Sequence, residues 1–320
     1  MRQNEKSSGH YYGLQGPNLC GYCGLETDFV EYMYSYCLRC ADYEKLIERG
    51  FMRDIFKKVP TSCCIAYQTR YRALDFIMTK SQKRVLKKFR KFATTCSLIQ
   101  ITNKGKSNKS KSLKDFLDDI VVFNKKDSSK FNIISYPVND DLVLPKTVFD
   151  QSFQIYNKYQ NFAHCNDDMK ITKNQFSTFL CESCLVSTSM TGNYYGFEKY
   201  GTHMLHYVFN DNIMAVSVID ILPSYVYSVY FCYDPQFKSL SLGTLSTLIE
   251  IRLVQILNEH LSNIQFYSMG YYVNCPKILY KSNFHPFELL CPVTFKWVPF
   301  EMCKYLDLNK HEIKSFNSSR

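Results

Sequence analysis

Tryptophan is nearly missing from this chain: there is one, against 25 tyrosines and 24 phenylalanines. There is no internal repeat and no heptad array, which excludes solenoids, propellers and coiled coils. The first sixteen residues lack the apolar core of an export signal. The expectation is therefore a reducing compartment, cytoplasmic and also nuclear, with cysteines as thiols or metal ligands rather than disulfides. An uninterrupted apolar span is absent too. Ile213–Tyr233 is long enough to cross a bilayer, but Asp220 and Pro223 break it. A charge at mid-membrane costs about 2.5–3.5 kcal/mol. Two buried strands joined at Pro223-Ser224 fit better, so no membrane partner is expected.

Cysteine and positive charge are abundant. Fourteen cysteines stand in 320 residues, and 39 Lys and Arg against 29 Asp and Glu leave a net charge of +10. Most of the cysteines read as small buried apolar residues. Two pairs stand apart: Cys20 and Cys23 around Gly21-Tyr22, and the adjacent Cys63-Cys64. A C-x₂-C with glycine in the turn can aim two sulfurs at one ion. The second pair can close a four-thiolate site, suited to Zn²⁺ or to an iron–sulfur cluster. Cys37 and Cys40 repeat the spacing and are the weaker candidates.

The positive charge is uneven. Ser81–Phe92 reads as a helix with Val85, Leu86, Phe89 and Phe92 on one stripe and Lys83, Arg84, Lys87, Lys88, Arg90 and Lys91 on the rest. Asn103–Ser112 has no apolar residue, reads as a linker, and adds Lys104, Lys106, Lys109 and Lys111. So dense a cluster exceeds a routine solvated face and suits an RNA backbone.

Other elements follow from pattern. Residues 1–19 read as loose. A short helix fits Asp42–Arg49, capped by Asp42 and ended by Gly50. Val148–Ala163 is helical, and Thr172 with Gln175 makes a capping box. Strands are expected at Met204–Phe209, Ile213–Leu222 and Val226–Tyr233, with a turn at Asn210-Asp211-Asn212. A small-residue segment, Ser239–Thr244, precedes a long helix, Leu245–Leu261, and a strand, Gln265–Val273. This order is the core of a GNAT-type acyltransferase, whose loop presents backbone N–H groups at a helix N-terminus to an anion. The loop lacks the glycine-dense pyrophosphate pattern, so coenzyme A is not expected.

On these residues the chain resembles the eukaryotic arginyl-tRNA–protein transferases. In the first block, about 11–95, the matches include Tyr11-Tyr12-Gly13, Cys20-Gly21-Tyr22-Cys23, Leu46-Ile47-Glu48-Arg49-Gly50, Cys63-Cys64 and Tyr67-Gln68-Thr69-Arg70. In the second, about 150–305, they include Val218-Ile219-Asp220-Ile221-Leu222-Pro223, Tyr233-Asp234-Pro235, Leu240-Ser241-Leu242-Gly243, Glu250-Ile251 and Met269-Gly270-Tyr271-Tyr272. Cys275-Pro276-Lys277, Tyr280-Lys281 and Trp297-Val298-Pro299 also match. Two segments depart. Phe51–Ile55 stands where the family has Arg-Arg-Ser-Gly. Gly201-Thr202-His203-Met204-Leu205 stands for Gly-Ser-aromatic-His-Gln, so the family's histidine falls on Met204, with His203 adjacent and able to substitute.

The resemblance implies an α+β chain with a metal- or cluster-holding N-terminal domain followed by a GNAT-like transferase domain. The expected divisions are 1–95, a basic insert at 96–145, the transferase at 146–305 and a tail at 306–320. The implied activity moves arginine from Arg-tRNA to the α-amine of proteins that begin with Asp, Glu or oxidised Cys, creating a degradation signal. The expected state is a monomer without coenzyme A. The metal falls on Cys20, Cys23, Cys63 and Cys64. Candidate catalytic residues are Asp234, Asp220, His203 and Tyr233. Asp220 reads as a carboxylate that helps hold the substrate arginine's guanidinium, with a structural carboxylate as the alternative, and Asp234 reads equally as a cap. Lys83, Arg84, Lys87, Lys88 and Lys91 are read against the tRNA. Ser241, Leu242 and Gly243 are read against its aminoacyl end, and Lys277 and Lys281 against the acceptor's acidic side chain. A rival reading is a metal-stabilised tRNA-binding protein whose catalytic end has decayed.

Overall fold

The computed structural model describes residues 6–53, 56–59, 61–96, 112–125, 131–138, 144–164 and 171–303. Lys104, Lys106, Lys109 and Lys111, the pair Asp54-Ile55 and the 306–320 tail lie outside them. In chain order the front half runs β1 (Ser8–Asn18), β2 (Asp28–Arg39), α1 (Cys40–Ile47), β3 (Phe56–Lys58), β4 (Tyr67–Arg72) and α2 (Lys80–Cys96). It is followed by α3 (Leu113–Leu117), β5 (Val121–Phe123), β6 (Phe131–Val138), α4 (Lys146–His164) and α5 (Lys173–Phe176). Then come β7 (Leu185–Val186), β8 (Thr188–Tyr194), β9 (Phe197–Phe209), β10 (Asn212–Ile221) and β11 (Tyr225–Tyr233). The chain closes with α6 (Leu242–Asn258), β12 (Phe266–Ser268), β13 (Tyr271–Tyr272), β14 (Phe287–Leu290), β15 (Trp297–Pro299) and α7 (Phe300–Cys303).

Two sheets organise the described residues. The small one orders β1-β2-β3, with β7 pairing on β2. The large one orders β15-β14-β4-β12-β11-β10-β9-β6-β5, with β13 on β4 and β8 on β9. Residues 67–96 therefore belong to the large sheet and its core, because β4 lies between β14 and β12. Its partners, Phe266-Tyr267 and Phe287–Leu289, lie some 200 residues further along the chain.

Period-two alternation assigns the faces of this sheet. Leu205, Tyr207, Phe209, Ala215, Ile219 and Ile221 join one core with the stripe of α2 (Leu86, Phe89), with α3 and with α6. Met204, Val216 and Val218 face the other way, against Ile155 and Tyr156 of α4 and Phe176 of α5. α1 packs on that second face at Tyr225 and Tyr227. Each large apolar side chain fully buried there contributes about 1.5–3 kcal/mol. The apolar run 213–233 resolves into β10 and β11, antiparallel through Val218↔Tyr230, and no helix of the described residues is long and apolar enough to cross a membrane.

The transferase core follows the expected GNAT-like order. Antiparallel β9, β10 and β11 lead through α6 to β12, which runs parallel to β11. β11 and β12 pair only at Tyr225–Tyr227 with Phe266–Ser268, and then separate. A register shift between Val218 and Ile219 leaves Val229 as an extra residue on β11 at that fork. Asn210 and Asp211 both have positive φ, at 48° and 59°, as the β9–β10 turn requires.

Several boundaries differ from the sequence reading. Residues 8–18 are a strand rather than loose chain, paired with β2 across irregular register. Its residues are exposed on both faces, so no alternation marks it. Gly9 is needed there, since a Cβ would meet the Tyr34 carbonyl at 2.5 Å. α1 begins at Cys40 with Arg39 as N-cap, which places Asp42 inside the first turn. The expected strand 265–273 breaks into β12 and β13 at Gly270, φ +73°.

Candidate transfer site and cysteine centre

The four paired cysteines converge. The Sγ atoms of Cys20, Cys23, Cys63 and Cys64 all lie within 4.8 Å of one another, with Cys23 and Cys63 at 3.4 Å. Cys20 N–H donates to the Leu25 carbonyl and Gly24 N–H to the Cys20 carbonyl, both at 2.9 Å, which closes the loop. The glycine that needs a left-handed backbone is Gly24 (φ +73°), not Gly21. On the other side, Cys63 N–H donates to the Thr27 carbonyl at 3.2 Å.

The donor chemistry fits a metal. Tetrahedral Zn–S bonds of about 2.3 Å place sulfurs about 3.8 Å apart, inside the observed spacing. Burial pushes the Cys20 thiol up, but the backbone N–H groups of Cys23 and Tyr22 and the neighbouring thiols outweigh it and bring it down to about 6. Lys58 Nζ sits 3.6 Å from Cys20 Sγ and 3.0 Å from Asp28. Burial raises the Cys63 and Cys64 thiols instead. Twelve cysteines of the described residues are free, and among the described residues no second group of three ligands forms around Cys37 and Cys40. Tyr22, inside the Cys20–Cys23 loop, joins its hydroxyl to that of Tyr271 on β13, tying the centre to the large sheet.

At the C-terminal end of β11 a second constellation forms. Tyr233 packs on Tyr159 of α4 at 5.0 Å between ring centroids. Asp234 is buried; its Oδ2 accepts from Lys158 Nζ at 2.7 Å and its Oδ1 from Gln236 N–H at 3.1 Å, so it caps the 3₁₀ turn Pro235–Leu240. That turn delivers Ser241 in the left-handed region (φ 54°, ψ 49°), and α6 starts at Leu242, earlier than expected. No side chain caps α6, and a Cβ on Gly243 would meet nothing within 4 Å. The first turn of a 17-residue helix thus offers N–H groups to open space, beside a positive helix end. Leu242 itself is buried.

The basic helix borders this end. Lys88 Nζ donates to the Ser239 carbonyl at 2.5 Å, and Phe92 meets Phe237. Arg84, Lys87 and Lys91 are exposed and Lys83 half-buried. Arg90 is turned inward, forked onto Asp119 at 2.7 and 2.9 Å.

The remaining candidates are elsewhere. Asp220 pairs in register with Tyr227, and Tyr233 with Ala215. Five residues of strand, about 17 Å, separate the two positions. Asp220 is fully buried, accepts from Thr202 Oγ1 at 2.6 Å, and lies 3.6 Å from Arg53 of the divergent Phe51–Ile55 segment. Its surroundings match the structural-carboxylate alternative. His203 does not stand in for the residue at 204. One step along a strand reverses the face, so His203 lies against Phe197 while Met204 meets Ser152 of α4 at 3.2 Å. Both imidazole nitrogens of His203 are used, by Ser135 Oγ and the Lys199 carbonyl at 2.9 Å each, and burial lowers it to about 4. Lys281 is also buried. Its ammonium donates to the Met269 and Tyr271 carbonyls at 2.6 and 2.7 Å, and burial lowers it to about 8. It clamps the turn at Gly270, whereas Lys277 is exposed.

One buried acid went unassigned in the sequence. Glu250 of α6 is 1% exposed and accepts from Ser217 Oγ and Tyr267 Oη at 2.7 Å and from Tyr207 Oη at 3.1 Å. Its position on the apolar face of α6 was the signal, since a carboxylate among leucines needs a reason.

Two family models match. Residues 18–84 match the N terminus of arginine-tRNA-protein transferase, and residues 151–291 its C terminus. Among curated proteins, arginyl-tRNA–protein transferase 1 of Drosophila melanogaster is 28% identical over 96% of this chain and 85% of its own length. Its namesake in Saccharomyces cerevisiae is 28% identical over 85% of this chain and 52% of its own, so the chain spans about half of that relative. An aspartate/glutamate leucyltransferase of Pseudomonas fluorescens is 31% identical over 47% of this chain and 55% of its own. With both family segments in order, the cysteines gathered at one point and a GNAT-like core behind them, the chain is an enzyme of the arginyl-tRNA–protein transferase family, eukaryotic type.

Proposed function

We propose that this chain transfers arginine from Arg-tRNA to the α-amine of proteins whose first residue is acidic, Asp, Glu or oxidised Cys, marking them for degradation. The carrying observation is the contiguity of exposed α2 cations, the open first turn of α6 and the fork between β11 and β12. Arg84, Lys87 and Lys91 suit phosphates of the acceptor stem. The N–H groups at Leu242 and Gly243 suit the terminal phosphate or the oxyanion. The names of the Drosophila and yeast relatives support the donor, and that of the Pseudomonas relative, an aspartate/glutamate leucyltransferase, the acidic acceptor.

The ester in Arg-tRNA is already activated, and an α-amine of pKa about 7.7–8.0 is partly neutral near pH 7. Alignment of amine and carbonyl carbon then supplies much of the rate. Tyr233 and Tyr159 wall the approach, and Asp234 holds the turn that presents Ser241. Lys277 is free to meet the acceptor's carboxylate. The four cysteines would hold zinc or an iron–sulfur cluster. A single ion needs no spreading of the sulfurs, and it would brace the loop that Tyr22 ties to β13.

The test is transfer of labelled arginine from Arg-tRNA to peptides beginning with Asp, Glu or Lys, with metal analysis of the same samples. Label on Asp and Glu peptides, lost after RNase treatment and scarce on the Lys peptide, is expected. A second reading, tRNA binding without transfer, is favoured only by Met204 at the family's histidine position. Salt-sensitive tRNA binding with no labelled peptide would select it.

A further inference from the structure

A cavity of about 370 Å³ lies between the small sheet and the segment that leads into β7. β2 lines it with Tyr32 and Tyr34, the helical turn Ser177–Cys181 with Phe179, and the chain just beyond that turn with Glu182. Arg53 completes the wall, its side chain 15% exposed. Both terminal nitrogens of Arg53, Nη1 and Nη2, are buried without a hydrogen-bond partner among the described residues. Arg70, Arg90 and Arg252, by contrast, each donate to a carboxylate, of Glu288, Asp119 and Asp118 in turn. A buried guanidinium with unmade bonds is costly, and a guest that brings acceptor oxygens removes the cost.

The carboxylate nearest to Arg53 does not meet that need. Asp220 stands 3.6 Å from Nη1, beyond hydrogen-bond reach, and accepts from Thr202 Oγ1 at 2.6 Å. It fixes the guanidinium by charge and leaves the N–H fork open to a second carboxylate, or to a sulfinate or sulfonate of similar shape. Charge narrows the guest further. Asp220 and Glu182 put two negative groups around one cation, which opposes a lone anion and suits a guest that carries its own positive charge. The first residue of a protein beginning with Asp or Glu carries both, an α-ammonium and a carboxylate. The place fits as well. Phe179 meets Tyr230 of β11 at 5.3 Å between ring centroids, and three residues of strand, about 10 Å, separate Tyr230 from Tyr233 at the transfer site.

We propose that this cavity seats the acceptor's first residue, with its side-chain carboxylate on Arg53 and its α-amine beside Glu182. This deepens the transferase reading above and rests on it. Arg53 is then the residue that selects the acid. Asp, Glu and oxidised Cys bring two acceptor oxygens to its fork. Asn and Gln turn an N–H₂ group towards it and Lys adds a second cation, so these leave the guanidinium unsatisfied. Glu182 is exposed and steadied by Thr178 Oγ1 at 3.2 Å, which puts a carboxylate at the mouth, where the α-amine stays. Lys277, also exposed, does not line this cavity.

The experiment uses the full-length protein, metal as purified, and measures kcat and KM for peptides beginning with Asp or Asn and for Arg-tRNA. Arg53→Gln should raise the Asp-peptide KM about 20-fold, the scale of a lost hydrogen bond to a charged group, and cut the kcat/KM preference for Asp over Asn at least as much. The KM for Arg-tRNA should stay within about twofold, and Arg53→Lys should recover part of the preference. Glu182→Gln, a change at an exposed position that reads the same cavity should Arg53→Gln fail to fold, should raise the Asp-peptide KM about fivefold at an unchanged melting temperature. Lys277→Ala should move that KM less than either. An Asp-over-Asn preference that survives Arg53→Gln, a raised KM for Arg-tRNA in its place, or a larger effect of Lys277→Ala would overturn the proposal. So would succinate, which has no amine, competing as well as the Asp-peptide. Equilibrium binding of the Asp-peptide without tRNA separates this failure from that of the parent reading. Peptide that wild type binds and Arg53→Gln does not, with no arginine transferred by wild type, would overturn the transferase reading and uphold the cavity.

Discussion

At residue scale, neighbouring positions on one strand have opposite fates. His203 and Met204 are adjacent, yet one sits in the α6 core and the other in the α4 core. A one-residue offset in a histidine therefore cannot be repaired by its neighbour, although in sequence the two look interchangeable. His206 shares the face of Met204, where its Nε2 meets Ser152 Oγ at 2.6 Å. Burial holds His203 and His206 neutral, both at about 4 against an ordinary 6.5. Between these values the unfolded chain binds protons that the folded chain refuses, so stability falls as pH drops from 6.5 towards 4. Each histidine contributes up to about 3 kcal/mol to that loss. His206→Phe should flatten the slope relative to wild type, read as urea midpoints at pH 6.5 and 4.5. An unchanged slope would mean that His206 titrates normally in the folded protein.

Helices and strands with strong internal pattern were legible; those defined by distant partners were not. α2, α4, the Thr172–Gln175 capping box and the β9–β10–β11 run carry their signals in their own residues. β4 is six residues long and draws its identity from β12, β13 and β14. No local rule could have marked it. The cysteine pairs were legible because spacing alone proposes the chemistry, while Glu250 was missed because its meaning comes from hydroxyls on three strands folded around it. The cations of α2 also divide by structure. Arg90 braces α3 through Asp119 and Lys88 the turn before α6, leaving Arg84, Lys87 and Lys91 outward. Replacing Arg84 and Lys87 with serine should weaken tRNA binding and reduce the log–log salt slope by about 1.5–2. Arg90→Ala should instead lower the melting temperature with little change in that slope.

On the scale of the whole molecule, the cysteine centre and the transferase core are mechanically joined. Tyr22 bridges to Tyr271, and Lys281 pins the carbonyl of the same residue. Loss of a metal held by the four cysteines should therefore be felt across the molecule. Cys63→Ser should remove bound metal and lower the melting temperature, measured by metal analysis and calorimetry, while the α6 core keeps its helical signal in circular dichroism. Full metal content in that variant would place the ion elsewhere. The threading of β4 has a consequence for biosynthesis. At about 5–20 residues per second, a ribosome takes roughly 10–40 seconds to deliver the strands that flank it. During that interval the nascent segment Tyr67–Arg72 has both edges unpaired, so the order of translation demands protection of this strand until the last third of the polypeptide emerges.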